Sequence, residues 1–179
     1  MHSTARDETL ALWHQQEQDV RARLGKAGSM SLAQVSQLSP QAFFDGISNG
    51  ELPHPPIGEL MGFVPISWTS GSFIFQGTPG PQHYNPLGSV HGGYAATLLD
   101  TCMGCAVHTQ LKQGQGYTTL DLRISYVRAL TDKTGPIRAE GTLIHLGRST
   151  ALAEGRIYDA EGRLYATGTT TCMILDMNR

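Results

Sequence analysis

The segment that most constrains the fold of this chain is NPLGSVHGGYAATLLDTCMGCAVHTQL, at positions 85–111. Pro86 and Gly88 predict a loop in its first part, and the sequence predicts one helix from about Gly92 to Leu111. Nearly the whole circumference of this helix is small or apolar, so it must be covered on most sides. It is too short, and too often interrupted by polar residues, to span a bilayer, which takes about 20 apolar residues. The cover must therefore be protein.

Asp100 is the one carboxylate of the predicted helix. Burial of a charge without a partner is costly, so an acid in the middle of an apolar helix is either paired structurally or kept for chemistry. The helix contains no lysine or arginine that could pair with Asp100, which favours chemistry.

Cys102 and Cys105 form a CxxC pattern in the same helix, but no second cysteine pair and no histidine cluster with metal-ligand spacing completes a zinc site. We interpret both as core residues, because free cysteine commonly behaves as a small hydrophobic side chain. The sequence therefore predicts no metal site.

The rest of the chain alternates between helical and strand patterns. Residues 6–24 predict a helix, Ser39 and Pro40 start a second and shorter one, and residues 62–77 predict a β-hairpin. Pro65 marks the first strand of that hairpin as an edge or bulged strand. After the central helix, period-two alternation predicts four strands, at about 117–127, 137–143, 151–158 and 164–174.

This order of elements predicts an α+β fold. A meander of antiparallel strands can curl round a single helix and cover it, and nothing else in the chain could do so. We therefore predict a curved antiparallel β-sheet wrapped round one long central helix, with extra N-terminal helices. Residues 1–38 are expected to form a helical extension and residues 39–179 the domain itself.

The first strand after the helix shows a clear alternation. Leu120, Leu122, Ile124 and Tyr126 are predicted to face the core, and the polar residues between them the other side. By this parity Thr119 points away from the helix.

Composition narrows the possible partners. The formal net charge is -2, and the lysines and arginines are scattered rather than clustered, which argues against nucleic acid as a partner. The N-terminal sequence shows no pattern of an export or organelle signal, so a cytoplasmic location is expected, with no membrane partner.

Several stretches together carry a family resemblance, namely GELPHPPIGELMGF, HYNPLGSVHGGYAATLLDTCMGCAVHT, GYTTLDLRISYVRAL and the HLGRS turn, over roughly residues 45–175. The pattern N-x5-HGG-x6-D at the start of a long apolar helix is its most specific part. The sequence resembles the PaaI-like acyl-CoA thioesterases of the hotdog fold. The resemblance implies a homodimer, often paired as a dimer of dimers, that hydrolyses an acyl-CoA to free acid and coenzyme A without a cofactor. Tyr94, Met103, Phe73 and Phe75 are candidates to line a tunnel for an aryl- or medium-chain acyl group.

The spacing between Gly92 and Asp100 has a geometric consequence. Gly92 lies at the helix start, where free N–H groups and the helix dipole can hold the oxygen of a polarised carbonyl. Asp100 lies about 12 Å further along the axis, too far for both to meet one thioester carbon from the same chain. Two such helices lying antiparallel about a two-fold axis would complete two equivalent sites. The resemblance implies the same shared site, with Asp100 as general base or as nucleophile.

The resemblance also implies roles for residues around these two. Asn85 would orient the thioester or the water, His91 would lie beside the carbonyl, and Thr119 would help place the water. From the residues alone, Asn85 is equally typical of a turn and His91 of a helix cap. The expected substrate contacts are Gly93 beside the helix start, and Arg128 and the turn Gly147-Arg148-Ser149 at the CoA phosphates.

Two other functions stay open on the sequence. One is a hotdog enoyl-CoA hydratase or dehydratase that uses His91 and Asp100. The other is a non-catalytic acyl-CoA binding module, although the intact set of Asn85, Gly92 and Asp100 argues against lost catalysis.

Overall fold

The structure is a computed structural model that describes residues 2–178, and side chains from Arg6 to Asn178. Its helices are α1 (His2–Arg23), α2 (Leu32–Ser36), α3 (Pro40–Ser48), α4 (Pro56–Met61) and α5 (Gly92–His108). Its strands are β1 (Phe63–Thr69), β2 (Ser72–Gly77), β3 (Gln115–Tyr126), β4 (Ile137–Leu146), β5 (Thr150–Asp159) and β6 (Leu164–Asp176). The predicted order of two strands, one long helix and four strands is confirmed. Helix α5 ends three residues before the predicted Leu111.

All strands form one antiparallel sheet in the order β1-β2-β4-β5-β6-β3. Helix α5 lies on its inner face, and the α5 side chains Leu98, Leu99, Cys102 and Met103 are fully buried there. The predicted α+β fold, with a sheet round one central helix and additional N-terminal helices, is therefore confirmed. The β-hairpin is also confirmed, with Pro65 on the edge strand β1 at a register irregularity.

The close approach of α5 to the sheet depends on glycine. Gly141, Gly155 and Gly168 are paired with one another across β4, β5 and β6. A Cβ at Gly141 would lie 2.3 Å from the backbone oxygen of Cys102, and one at Gly155 would lie 2.9 Å from the Met103 side chain. The three glycines thus form a groove across the sheet that lets the helix backbone come close.

Strand β3 departs from the predicted alternation. The pairing with β6 shifts between Thr119 and Asp121, which marks a bulge at Leu120. The extra residue turns Thr119 toward α5 and leaves Leu120 56% exposed, whereas Leu122 and Ile124 pack against the core as predicted. The predictions that Leu120 faces the core and Thr119 faces away were wrong, because a bulge reverses the parity of the strand at that point.

Helix α1 covers the outer face of the sheet. Trp13 is buried there, its ring 6.0 Å from that of Tyr158 and 4.2 Å from the Arg138 guanidinium. The fully buried Gln76 donates to the Trp13 carbonyl (3.0 Å) and accepts from Arg138 (3.0 Å), so both ends of its amide are satisfied. Within residues 2–178 no helix is long and apolar enough to cross a membrane. The division of the chain at residue 38 stays a prediction.

Candidate active site

Asp100 lies on the side of α5 that the sheet leaves partly uncovered. Its side chain is half-buried, and its Oδ1 accepts a hydrogen bond from the Thr119 hydroxyl at 2.8 Å. Among the described residues no lysine, arginine or histidine forms an ion pair with Asp100. The carboxylate therefore keeps one oxygen for another partner, such as a water molecule, and the bulge at Leu120 is what brings Thr119 to it.

The start of α5 presents a free backbone donor. His91 is the N-cap, and its Nδ1 accepts the Gly93 N–H at 2.8 Å. Because Nδ1 is the acceptor, the neutral imidazole carries its proton on Nε2. The Gly92 N–H has no acceptor within residues 2–178. Gly92 thus offers the donor that a polarised carbonyl needs, and Gly93 is engaged with the cap.

Tyr126 was not singled out by the sequence as a site residue, yet it packs directly on Gly92. Its hydroxyl donates to the Gly92 carbonyl at 3.0 Å, and a Cβ on Gly92 would lie 3.0 Å from the Tyr126 ring. The side of Gly92 that has no Cβ is therefore filled by a tyrosine of the same chain. The only sequence signal for this contact is the alternation in β3, which puts Tyr126 on the side of the sheet that faces α5.

Hydrogen bonds between residues of the loop before α5 hold that loop in shape. The Asn85 side chain accepts from the backbone N–H groups of Leu87 (2.9 Å) and Ser89 (3.3 Å), and donates to the Ser89 hydroxyl (3.0 Å). These are the contacts of an Asx turn, and they hold the loop. The His83 carbonyl accepts the His91 N–H at 2.7 Å, so a histidine without an expected role also ties down this loop.

The two halves of the predicted site are not brought together within one chain. Gly92 and Asp100 belong to one uninterrupted helix and are about 12 Å apart along its axis. Each half contacts β3, however: Asp100 through Thr119 and Gly92 through Tyr126. Strand β3 lies at one edge of the sheet, so both halves face the edge where a second chain could add.

The residues expected at the CoA phosphates lie at opposite ends of β3. Arg128 follows the Tyr126 end, where it is exposed and its guanidinium lies 5.9 Å from the Tyr165 ring centre. It borders a cavity of about 340 Å³ that also contains His91 and Gly92.

The turn Gly147-Arg148-Ser149 lies at the other end of β3. Gly147 donates to the Thr150 carbonyl (2.8 Å), Ser149 accepts from Ile174 (2.9 Å), and Ile174 is paired with Tyr117 at the start of β3. Arg148 and Ser149 are exposed. Within one chain these residues and Arg128 do not form one phosphate site.

The cysteines of α5 are packed rather than reactive. Cys102 is fully buried, and burial raises the pKa of its thiol. Burial also raises the pKa of Cys105 to about 12. Because the thiolate is the nucleophile and the metal ligand, both residues are kept in an unreactive form at neutral pH.

His108, at the end of α5, is expected to make stability depend on pH. Its ring lies 5.0 Å from Phe43, 5.2 Å from Phe44 and 5.8 Å from Tyr117, and burial lowers its pKa to about 4. The unfolded chain binds a proton at this histidine below about pH 6.5 whereas the folded chain does not, so stability falls as the pH falls from there toward 4. Going from about pH 7.5 to about pH 5 should cost about 2 kcal/mol through His108 alone.

Urea unfolding at both pH values checks this expectation. His108→Leu should unfold with a smaller loss on acidification than the unsubstituted chain, since every other histidine is common to the two proteins. An equal loss in both would contradict a neutral, buried His108.

The order of the strands round a single central helix defines the class of this protein, which has the hotdog fold. A sequence model of the thioesterase superfamily matches residues 87–166. Over these residues the chain is similar to that superfamily.

The similar solved structures include a phenylacetic acid degradation-related protein from Ralstonia eutropha, which is 29% identical with a TM-score of 0.67. That alignment covers 73% of this chain and 98% of the other. The phenylacetic acid degradation protein PaaI from Thermus thermophilus is 27% identical, with a TM-score of 0.59 over 66% of this chain and 97% of the other.

The curated relatives are matched over a shorter length. The proofreading thioesterase EntH of Cronobacter sakazakii is 32% identical over 92 residues, which is 51% of this chain and 66% of the relative. A relative from Halobacterium salinarum is 38% identical over 69 residues, 37% of this chain and 44% of the relative. The chain therefore spans less than two thirds of the length of these two proteins.

Proposed function

We propose that this protein hydrolyses an acyl-CoA thioester to free acid and coenzyme A, at a site shared between two copies of the chain. The observation that carries the proposal is the Asp100 carboxylate held by Thr119 at 2.8 Å on a face of α5 that the sheet leaves open. A carboxylate with one free oxygen and no ion-pair partner can take a proton from water. Thioesterase names among the similar proteins agree with this chemistry.

The reaction uses both halves of the site. The thioester oxygen accepts from the Gly92 N–H, which stabilises the negative charge that develops on it. Water, deprotonated by Asp100, attacks the thioester carbon; the C–S bond breaks, and the CoA sulfur leaves as a thiolate. With Asp100 as nucleophile, an anhydride forms first and water then hydrolyses it.

Antiparallel pairing of two β3 strands would assemble this site. Pairing centred near Leu122 and Arg123 would place Thr119 of one chain opposite Tyr126 of the other. Since Thr119 contacts Asp100 and Tyr126 contacts Gly92, the two half-sites would then meet twice across the two-fold axis. Pairing of these edges would also give partners to the unpaired backbone groups of β3. We also propose that two such dimers pair into a tetramer, and that Arg128 contacts the CoA phosphates.

Assay of the purified protein with a panel of acyl-CoA substrates tests the function. We expect equal amounts of free thiol and free acid to appear with at least one substrate, because hydrolysis breaks only the C–S bond. Loss of enoyl-CoA absorbance without thiol release would instead indicate a hydratase.

A further inference from the structure

An apolar cavity lies between the N-terminal helices and the inner side of the hairpin β1–β2. It has a volume of about 80 Å³. Its walls are mainly aromatic. Ring centres lie 4.8 Å apart for Phe44 and Phe73, and 4.7 Å apart for Phe73 and Phe75. Closely packed rings of this kind form a wall of defined shape. The aromatic residues that line the cavity are Phe43, Phe44, Phe63, Phe73 and Phe75.

Two residues of α5 connect this cavity to the candidate active site. Thr101 and Cys105 line it, and both lie on the partly uncovered side of the helix. Thr101 directly follows Asp100, so its side chain projects about 100° further round the helix. Asp100 faces β3 through its hydrogen bond with Thr119, and Thr101 lines the cavity on the next side of the same turn. Thr101 therefore lies between the Asp100 carboxylate and the cavity.

The cavity offers no charged partner to a substrate group. No lysine, arginine, aspartate or glutamate of the described residues lines it. The Thr101 hydroxyl already donates to the Thr97 carbonyl at 2.7 Å, and the lining His54 bonds through Nδ1 to the Gly25 carbonyl at 3.0 Å. A carboxylate placed inside would lose its water without gaining a cationic partner.

We infer that this cavity receives the acyl group of the substrate, and that the substrate class is a short, uncharged, apolar acyl thioester. An apolar cavity of about 150 Å³ holds benzene, so one of about half that size holds roughly three or four carbons beyond the carbonyl. Helix α3, through Phe43 and Phe44, closes the far side and sets this limit. The inference rests on the proposed function, because that function supplies the thioester as the reacting group. The size and polarity of the acyl chain are inferred from the cavity alone.

Binding of thioether analogues tests the cavity without requiring any reaction. The probes are S-butyl-CoA, S-octyl-CoA and S-(2-carboxyethyl)-CoA, titrated calorimetrically into the protein. We expect S-butyl-CoA to bind at least about 10-fold more tightly than either of the others. The longer chain overfills the cavity, and the carboxylate is buried without a partner.

Phe43→Ala opens the far end of the cavity, so it should shift the butyl-to-octyl affinity ratio by at least about 10-fold in favour of octyl. Tyr158→Ala is the matched control, because Tyr158 is also a partly buried aromatic residue but packs against α1 on the outer face of the sheet. It should leave the ratio unchanged.

Equal affinities for the three thioethers, or the same ratio shift in both variants, would overturn the inference. These outcomes are independent of hydrolysis. A protein that binds S-butyl-CoA selectively but releases no thiol from any acyl-CoA would contradict the proposed function and leave the cavity as a binding site.

Discussion

Asp100→Asn is expected to lower kcat for acyl-CoA hydrolysis by about 10²-fold or more, as for loss of a positioned acid–base group. The amide cannot take a proton from water or attack a carbonyl. It keeps the shape of the carboxylate, and its oxygen can still accept the Thr119 hydroxyl that now lies 2.8 Å from Asp100 Oδ1. The fold and the assembly should therefore survive. Steady-state thiol release measures the effect, and size-exclusion chromatography checks the assembly.

Asp19→Asn provides the control for this substitution. Asp19 is exposed on α1, which covers the outer face of the sheet, so the same chemical change there should alter kcat less than about 2-fold, in the range of ordinary surface substitutions. Near-normal hydrolysis by Asp100→Asn would remove Asp100 from the mechanism. Heavy oxygen found in Asp100 after turnover in heavy-oxygen water would identify it as the nucleophile rather than the base.

Much of the fold follows from local patterns. Helix α5 was predictable because its small and apolar residues leave it no stable exposed face, and the later strands because their alternation is regular. The position of Asp100 on this helix is local in the same way, whereas its catalytic role stays a prediction. These features depend on a few neighbouring residues, which a single sequence shows directly.

The position of Thr119 could not be predicted in this way. The alternation of β3 is unbroken in the sequence, and the bulge at Leu120 arises from pairing with β6, a strand about 50 residues away. The contact of Tyr126 with Gly92 likewise depends on how α5 lies across the sheet. The family resemblance grouped Thr119 with Asp100 where strand parity did not, and the structure places the two side chains in contact. The role of Thr119 in placing water stays a prediction.

The loop before α5 shows a different limit. Asn85 and His91 suggested both structural and chemical roles in the sequence, and the structure shows the structural contacts of both: an Asx turn and a helix cap. These contacts leave the predicted chemical roles untested. Both hold the loop that positions Gly92, so their replacement would disturb the site indirectly even if neither touches substrate.

Gly92→Pro is expected to lower kcat by about 10²- to 10³-fold, the usual cost of removing one donor from an oxyanion site. Proline deletes the backbone N–H, which has no acceptor within residues 2–178. Position 92 is the first residue of α5, where proline is well tolerated, and His91 already has the extended backbone that precedes proline (ψ 136°). Thiol release measures the loss, and thermal unfolding shows whether the helix is retained.

Gly92→Ala separates the lost N–H from the added side chain, because it brings a similar clash with Tyr126 but keeps the donor. If alanine lowers kcat as much as proline does, the contact with Tyr126 matters and the N–H does not.

Mixing the Gly92→Pro and Asp100→Asn proteins then tests whether the site is shared between two chains. Random reassortment makes about half of the dimers mixed, and each mixed dimer has one site in which both halves are intact, so about a quarter of the normal activity should return. No recovery after proven exchange of subunits would mean that Gly92 and Asp100 act within one chain, which the 12 Å between them along α5 makes difficult for a single thioester.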